Sequence, residues 1–135
     1  MPSLFTWPVR VYYEDTDAGG IVYYANYLKF FERARTEWLR ALGIGQQQLL
    51  DTAGVAFVVR KATVEYIAAA RLDDELELRL RVEKLGRASI AFGQEAWRGD
   101  TLLSTAAVKV GCVDAASMRP RSLPEAATAK MLAAH

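Results

Sequence analysis

The sequence predicts an α+β domain, an antiparallel sheet with one long helix packed against it, and three observations carry that reading. Between about Asn26 and Leu42 the apolar residues Tyr27, Phe31, Ala34, Trp38 and Ala41 recur at helical spacing, with Leu28 and Leu42 on a neighbouring line. From residue 56 onward the period changes to two, most clearly where Leu76, Leu78, Leu80 and Val82 alternate with Glu77, Arg79, Arg81 and Glu83. The later segments are joined by short turns and not by helices, so helix and strands are segregated along the chain. The 135 residues suit a single domain over 1–135, with no repeat, low-complexity stretch or linker.

The elements follow in order. "VRVYY" (9–13) is rich in β-branched and aromatic residues and reads as a strand. Asp15 to Gly20 interrupts it with turn formers. Asn26 is a suitable N-cap for the long helix, and Gly43 stands where a left-handed glycine would close it. "IGQQQLLDTAG" reads as a short second helix ended by Gly54. Strands are expected over 56–66, 76–82, "SIAFGQEAWR" and "TLLSTAAVKVGCVD", the last two joined at Gly99-Asp100 by a tight hairpin. The tail, with Pro120 and Pro124, ends in a short helix. Long strands with open edges invite pairing between copies, so a homo-oligomer, dimer or tetramer, is expected.

Composition narrows the function. A formal net charge of +1 gives no electrostatic reason to expect nucleic acid or a membrane surface as partner. No apolar run approaches the ~18 residues of a membrane span, and the N-terminus lacks the pattern of a leader, so a cytoplasmic protein is expected. The single cysteine, Cys112, rules out an internal disulfide and reads as a buried, inert thiol. The only histidine is His135, the last residue, where chains fray. This argues against a Ser-His-Asp triad, a Cys-His pair or a histidine-ligated zinc. Catalysis, if present, must rest on carboxylates, tyrosines, cationic side chains or backbone dipoles, and no metal or redox cofactor is expected.

The segment "YYEDTDAGGIVYYANYLKFFERARTEWL" (12–39) is where such chemistry concentrates. Asp15 and Asp17 precede Gly19-Gly20 and the helix start. A calcium loop fails on spacing, since its fifth position is Gly19 and its twelfth Asn26. Two readings remain: turn or cap residues, or a carboxylate held beside the unpaired N–H groups of a helix N-terminus.

That segment, together with "VAFVVRKATVEY", "ARLDDELEL" and "CVDAASMRPRSLP", resembles the hot-dog-fold acyl-CoA thioesterases of the 4-hydroxybenzoyl-CoA thioesterase family. Nearest in pattern is the Tol-Pal-associated group. The resemblance covers nearly the whole chain. It implies a curved five-stranded antiparallel sheet wrapped around one central helix, paired into dimers or tetramers. It also implies hydrolysis of acyl-CoA, with acyl carrier protein as a second possible carrier of the thioester. Carried over residue by residue, it makes Asp17 the catalytic carboxylate, as nucleophile or general base, and aims the backbone N–H of Tyr24 or Ala25 at the thioester oxygen. The Tol-Pal-associated group often has histidine where this chain has Tyr24; the 4-hydroxybenzoyl-CoA enzymes tend to have tyrosine. Tyr13 and Tyr24 are candidates for positioning the acyl group, against the plainer reading of half-buried packing residues. Asp15 is expected to be structural, and Glu32 a charge on the helix surface. Coenzyme A phosphates call for cations, for which Arg60, Lys61, Arg87 and Ser89 are the candidates, with Arg119 and Arg121 behind them; the "GRAS" loop of such enzymes often serves a neighbouring subunit. The alternative from another class is a non-catalytic hot-dog module that binds acyl-CoA or acyl carrier protein. Hydratase chemistry on the same fold is weaker, because it wants an ordered histidine.

Overall fold

The computed structural model describes residues 4–134, and His135 lies outside them. The order is β1 (Phe5–Arg10), α1 (Tyr27–Ala41), α2 (Gln46–Ala53), β2 (Val55–Tyr66), β3 (Glu75–Leu85), β4 (Ser89–Arg98), β5 (Thr101–Asp114) and α3 (Glu125–Ala134). Short 3-10 turns at Tyr13–Asp15 and Tyr24–Asn26 flank the Asp-Gly segment. The strands form one antiparallel sheet in the order β1-β3-β4-β5-β2, open at both edges.

Helix α1 lies across one face of the sheet and packs chiefly on β1, β3 and β4. Tyr27, Phe30, Phe31, Ala34, Trp38 and Leu39 are buried there against Leu76, Leu78, Leu80, Ile90, Phe92 and Leu103. The sequence pattern found the stripe but misplaced its borders. Leu28 is 43% exposed and Ala41 lies outside the core, while Phe30 and Leu39 carry part of it. The glycine stops are as expected: Gly43 (φ 77°) and Gly54 (φ 67°) both adopt the left-handed conformation that ends a helix. Cys112 is buried, and burial pushes its thiol above the ordinary range.

Two expectations are corrected. The first strand runs over Phe5–Arg10, not 9–13, and Tyr13 belongs to a 3-10 turn. Pro8 hid the strand: a proline removes a ladder donor, yet an edge strand tolerates it, and β1 is an edge. Asn26 does sit at the N-cap position, but its side chain makes no capping bond. It donates instead to Asp15 Oδ1 (2.9 Å).

The buried Gln94 ties sheet to helix. From the inner face of β4 its amide donates to the Phe31 carbonyl of α1 (2.9 Å) and accepts from Arg35 (3.0 Å). Burying an amide costs stability unless its partners are supplied, and here both are. The β2 side of α1 is left open.

Candidate active site

The Asp-Gly segment is a small hairpin. Tyr23 N–H donates to the Asp15 carbonyl (3.0 Å), Thr16 bridges Val22, and Asp17 N–H donates to the Ile21 carbonyl (2.9 Å). Gly20 (φ 77°) makes the reversal, a backbone state that favours glycine. A second clamp comes from the chain after β2. Val22 N–H donates to the Ala70 carbonyl (2.9 Å), and the Ala70 N–H donates to the Tyr27 hydroxyl (3.3 Å). Burial raises the Tyr27 phenol, which stays neutral and structural.

The two aspartates have opposite surroundings. Asp15 is 3% exposed and accepts from Tyr12 N–H (2.8 Å) and from Asn26 (2.9 Å), so it pins the β1 exit to the helix start. Asp17 is exposed at the hairpin tip; its Oδ1 accepts from Gly19 N–H (2.8 Å), which fixes the carboxylate and leaves Oδ2 open. Just past the base of the hairpin, the backbone N–H groups of Tyr24 and Ala25 begin the helical stretch with no partner among the described residues. Unpaired N–H groups at a helix start are ready-made donors for a developing negative charge.

The aromatic surroundings are more extensive than the sequence suggested. The rings of Tyr23 and Tyr24 lie 4.8 Å apart, Tyr24 meets the edge of Tyr66 at 5.9 Å, and Tyr66 meets Tyr27 at 5.6 Å. Tyr24, within side-chain hydrogen-bonding reach, raises the Tyr23 phenol above its usual value. Tyr66 was not singled out from sequence. It sits at the far end of a strand, and only the fold brings it to the helix start. Tyr13, by contrast, is 82% exposed and makes no aromatic contact among the described residues.

Of the candidate phosphate-binding residues, Arg87 and Ser89 lie at the opposite end of the sheet, and Arg60 and Lys61 lie midway along β2. Arg87 donates to Ser122 Oγ (2.7 Å) and shares an open cleft with Arg121. Ser89 pairs with Gly111, over which the Arg60 side chain lies so closely that a Cβ there would be 2.7 Å from its Cδ. Lys61 pairs with Lys109 across β2 and β5, a neighbour that sequence reasoning missed. The hairpin end is tied to Leu103 through Ile67 and Ala68. From Leu103 to Gly111 is eight residues of strand, about 26 Å. Within one chain Arg87 and Ser89 are therefore far from the hairpin, with Arg60 and Lys61 between.

A five-stranded antiparallel sheet holding one long helix is the hot-dog architecture of thioester-processing proteins. The Thioesterase superfamily model matches residues 19–105, beginning just after Asp17. The chain is 54% identical over 129 residues to the acyl-CoA thioester hydrolase YbgC of Escherichia coli O157:H7, covering 95% of this chain and 96% of that protein. It is 52% identical over 121 residues to the acyl-CoA thioesterase YbgC of Haemophilus influenzae, covering 90% and 89% respectively. Among solved structures, a probable thioesterase from Bartonella henselae superposes with a TM-score of 0.86 at 34% identity, over 90% of this chain and all of that one. The chain belongs to the thioesterase superfamily and is a thioester hydrolase.

Proposed function

We propose that this chain hydrolyses acyl-CoA to the free acid and coenzyme A, with Asp17 driving the attack and the N–H groups of Tyr24 and Ala25 receiving the oxyanion. One observation carries the reading. A carboxylate with one oxygen fixed by Gly19 and the other open stands on the hairpin that delivers a helix start with two unpartnered N–H groups. The relatives named as acyl-CoA thioester hydrolases support coenzyme A as the leaving group.

The attacking oxygen comes from water that gives its proton to Asp17, or from the carboxylate itself. Either attack on the carbonyl carbon pushes the carbonyl π electrons onto oxygen, where the two N–H groups hold the charge. Collapse breaks the C–S bond and expels the coenzyme A thiolate, which takes up a proton. On the second route, water then opens the mixed anhydride. Tyr24 contributes its backbone and an aromatic wall shared with Tyr66. Tyr13 faces solvent on the segment leading into the hairpin, where it is free to meet substrate or a second copy.

The placement of Arg87 and Ser89 at the far end of the sheet from the Asp17 hairpin, with Arg60 and Lys61 midway, suits a site completed by a second copy. The β2 edge is long and free of proline, whereas Pro8 blunts the β1 edge. A two-fold axis at the β2 edge would run the two strands antiparallel, bringing the cation end of one copy toward the hairpin end of the other. The homo-oligomer is thus part of the proposal. So is a reducing, cytoplasmic setting, which suits the free, buried Cys112.

The test is release of free thiol from acyl-CoAs with short, long and aromatic acyl groups, and from an acylated carrier protein. Wild type is compared with Asp17→Asn at matched fold and assembly. The variant is expected to lose at least about 100-fold in kcat. Unchanged turnover would sink the role of Asp17, and inactivity of wild type on every thioester would favour a binding module.

A further inference from the structure

Two adjoining cavities, of about 110 Å³ and 460 Å³, form a groove between α1 and β2. Both are bordered by Glu32, Arg35 and Val59; Leu28, Ala62 and Phe57 continue the apolar lining. The groove starts beside the candidate active site. Tyr24, Leu28, Glu32 and Arg35 follow one another on one side of the helical stretch, spaced by three and four residues. On the facing strand Tyr66 touches Tyr24, and Ala62, Val59 and Phe57 come next along the groove.

Lys29 and Glu32 also border the groove but are exposed; Arg35 is the charged lining residue drawn inward. It is largely withdrawn from water, and that burial pulls its guanidinium below the ordinary value. It forms no salt bridge among the described residues. Its hydrogen bond goes to Gln94 Oε1 (3.0 Å), and Gln94 is itself held by the Phe31 carbonyl (2.9 Å). The guanidinium is therefore anchored near the level of Phe31, across the path of the groove. A half-desolvated cation gains nothing from an alkyl chain and loses its remaining water when one passes it.

Resting on the acyl-CoA reading above, we propose that Arg35, held by Gln94, is a specificity-determining residue that sets the upper length of the acyl chain. From the N–H of Tyr24 to the level of Phe31 is seven residues, the first three steps in 3-10 geometry, about 12 Å in all. With C–C bonds of about 1.5 Å in extended, staggered geometry, an alkyl chain advances roughly 1.3 Å per carbon. Chains of up to about nine carbons end before the guanidinium. Longer ones must pass it.

The experiment is kcat/KM for straight-chain acyl-CoAs of increasing length, with wild type, Arg35→Met and Arg35→Gln. Wild type is expected to fall at least about tenfold beyond eight to ten carbons. Arg35→Met keeps the side-chain length without the charge. It should abolish that fall while leaving short-chain values within about threefold, and Arg35→Gln should lie between. A wild type indifferent to length overturns the proposal, as does a variant profile parallel to wild type. A uniform loss at all lengths would mark a structural role and overturn it too. Should Arg35→Met fail to fold by circular dichroism, Arg35→Gln, which can still donate to Gln94, carries the same test. Absence of any acyl-CoA hydrolysis by wild type would instead refute the proposed function, and the length limit with it.

Discussion

Asp15 and Asp17, one residue apart, should separate stability from turnover. Replacing Asp15 by Ala removes an acceptor that serves two donors, Tyr12 N–H at 2.8 Å and Asn26 Nδ2 at 2.9 Å. The Asn26 amide is buried; the Tyr12 N–H is partly open to water. Bonds to a charged acceptor contribute roughly 1.5–3 kcal/mol each, and partial access of water to Tyr12 N–H recovers some of that. The net cost is about 3 kcal/mol. For 135 residues, unfolding entropy of about 0.28 kcal/mol/K near 60 °C converts this to a Tm lower by roughly 10 °C. Asp15→Asn should cost less, about 1 kcal/mol, because the Asn26 amide can turn to offer its oxygen to the new NH2 group. Asp17→Asn disturbs only the exposed bond from Gly19 N–H, and its Tm should stay within about 2 °C of wild type.

The assay is thermal unfolding by calorimetry at fixed protein concentration, since assembly would make Tm concentration-dependent. Thiol release is measured in parallel at 25 °C, below both transitions. The reasoning is refuted if Asp15→Ala melts within about 3 °C of wild type. It is equally refuted if Asp17→Asn is the less stable of the two, for then the exposed carboxylate would be holding the loop.

Two further outcomes follow from the same contacts. Burial works against ionisation of Asp74, but the Arg71 N–H and the Arg98 guanidinium outweigh it and hold the carboxyl below its usual pKa. A depressed carboxyl stabilises the fold above its unfolded pKa, about 3.9, and that contribution fades as pH falls through the lower folded value. The Tm gap between wild type and Asp74→Asn should therefore be full at pH 6 and shrink below about pH 4; a constant gap down to pH 2.5 would contradict it. Val59, 53% exposed at the free β2 edge, should lie in the proposed contact between copies. Val59→Asp should shift light scattering toward the monomer and lower activity with it, and an unchanged mass would count against that edge.

What the sequence disclosed was local. Gly43 and Gly54 end helices because a left-handed backbone is disfavoured for most other residues, and that requirement is visible without the fold. The alternation from Leu76 to Val82 reveals a half-buried strand for the same reason. What it could not disclose depends on the far side of each contact. Nothing in "DTD" distinguishes a buried aspartate from an exposed one; the partners of Asp15 are three residues back and eleven ahead. Gln94 reads as an ordinary polar residue in "FGQEAW", yet it is buried and joins two elements 63 residues apart. Leu28 matches the helical period but falls on the side that the sheet leaves uncovered. Strand β1 was masked by the one residue, Pro8, that its edge position permits.

The cations are the case in which the fold changes the question. Read along the chain, Arg60, Lys61, Arg87 and Ser89 are scattered; in the structure Arg87, Ser89 and Arg121 share one end of the sheet, while Arg60, Lys61 and Lys109 lie midway along β2 and β5. That end lies about 26 Å of strand from the hairpin carrying Asp17. Coenzyme A carries its phosphates far from its thioester, so cations at a distance from Asp17 suit the nucleotide end of the substrate. An open β2 edge and an uncovered groove lie along the side between the two ends. A two-fold pairing there would address all three features together: it removes the free edge, roofs the apolar groove and brings opposite ends into register. The same pairing would close the groove around Arg35, withdrawing more water from its guanidinium and sharpening the length limit. Disrupting the pairing should then cost long and short substrates alike, through the loss of the cations. Removing Arg35 should release only the long ones, so the two kinds of variant can be told apart by chain length alone.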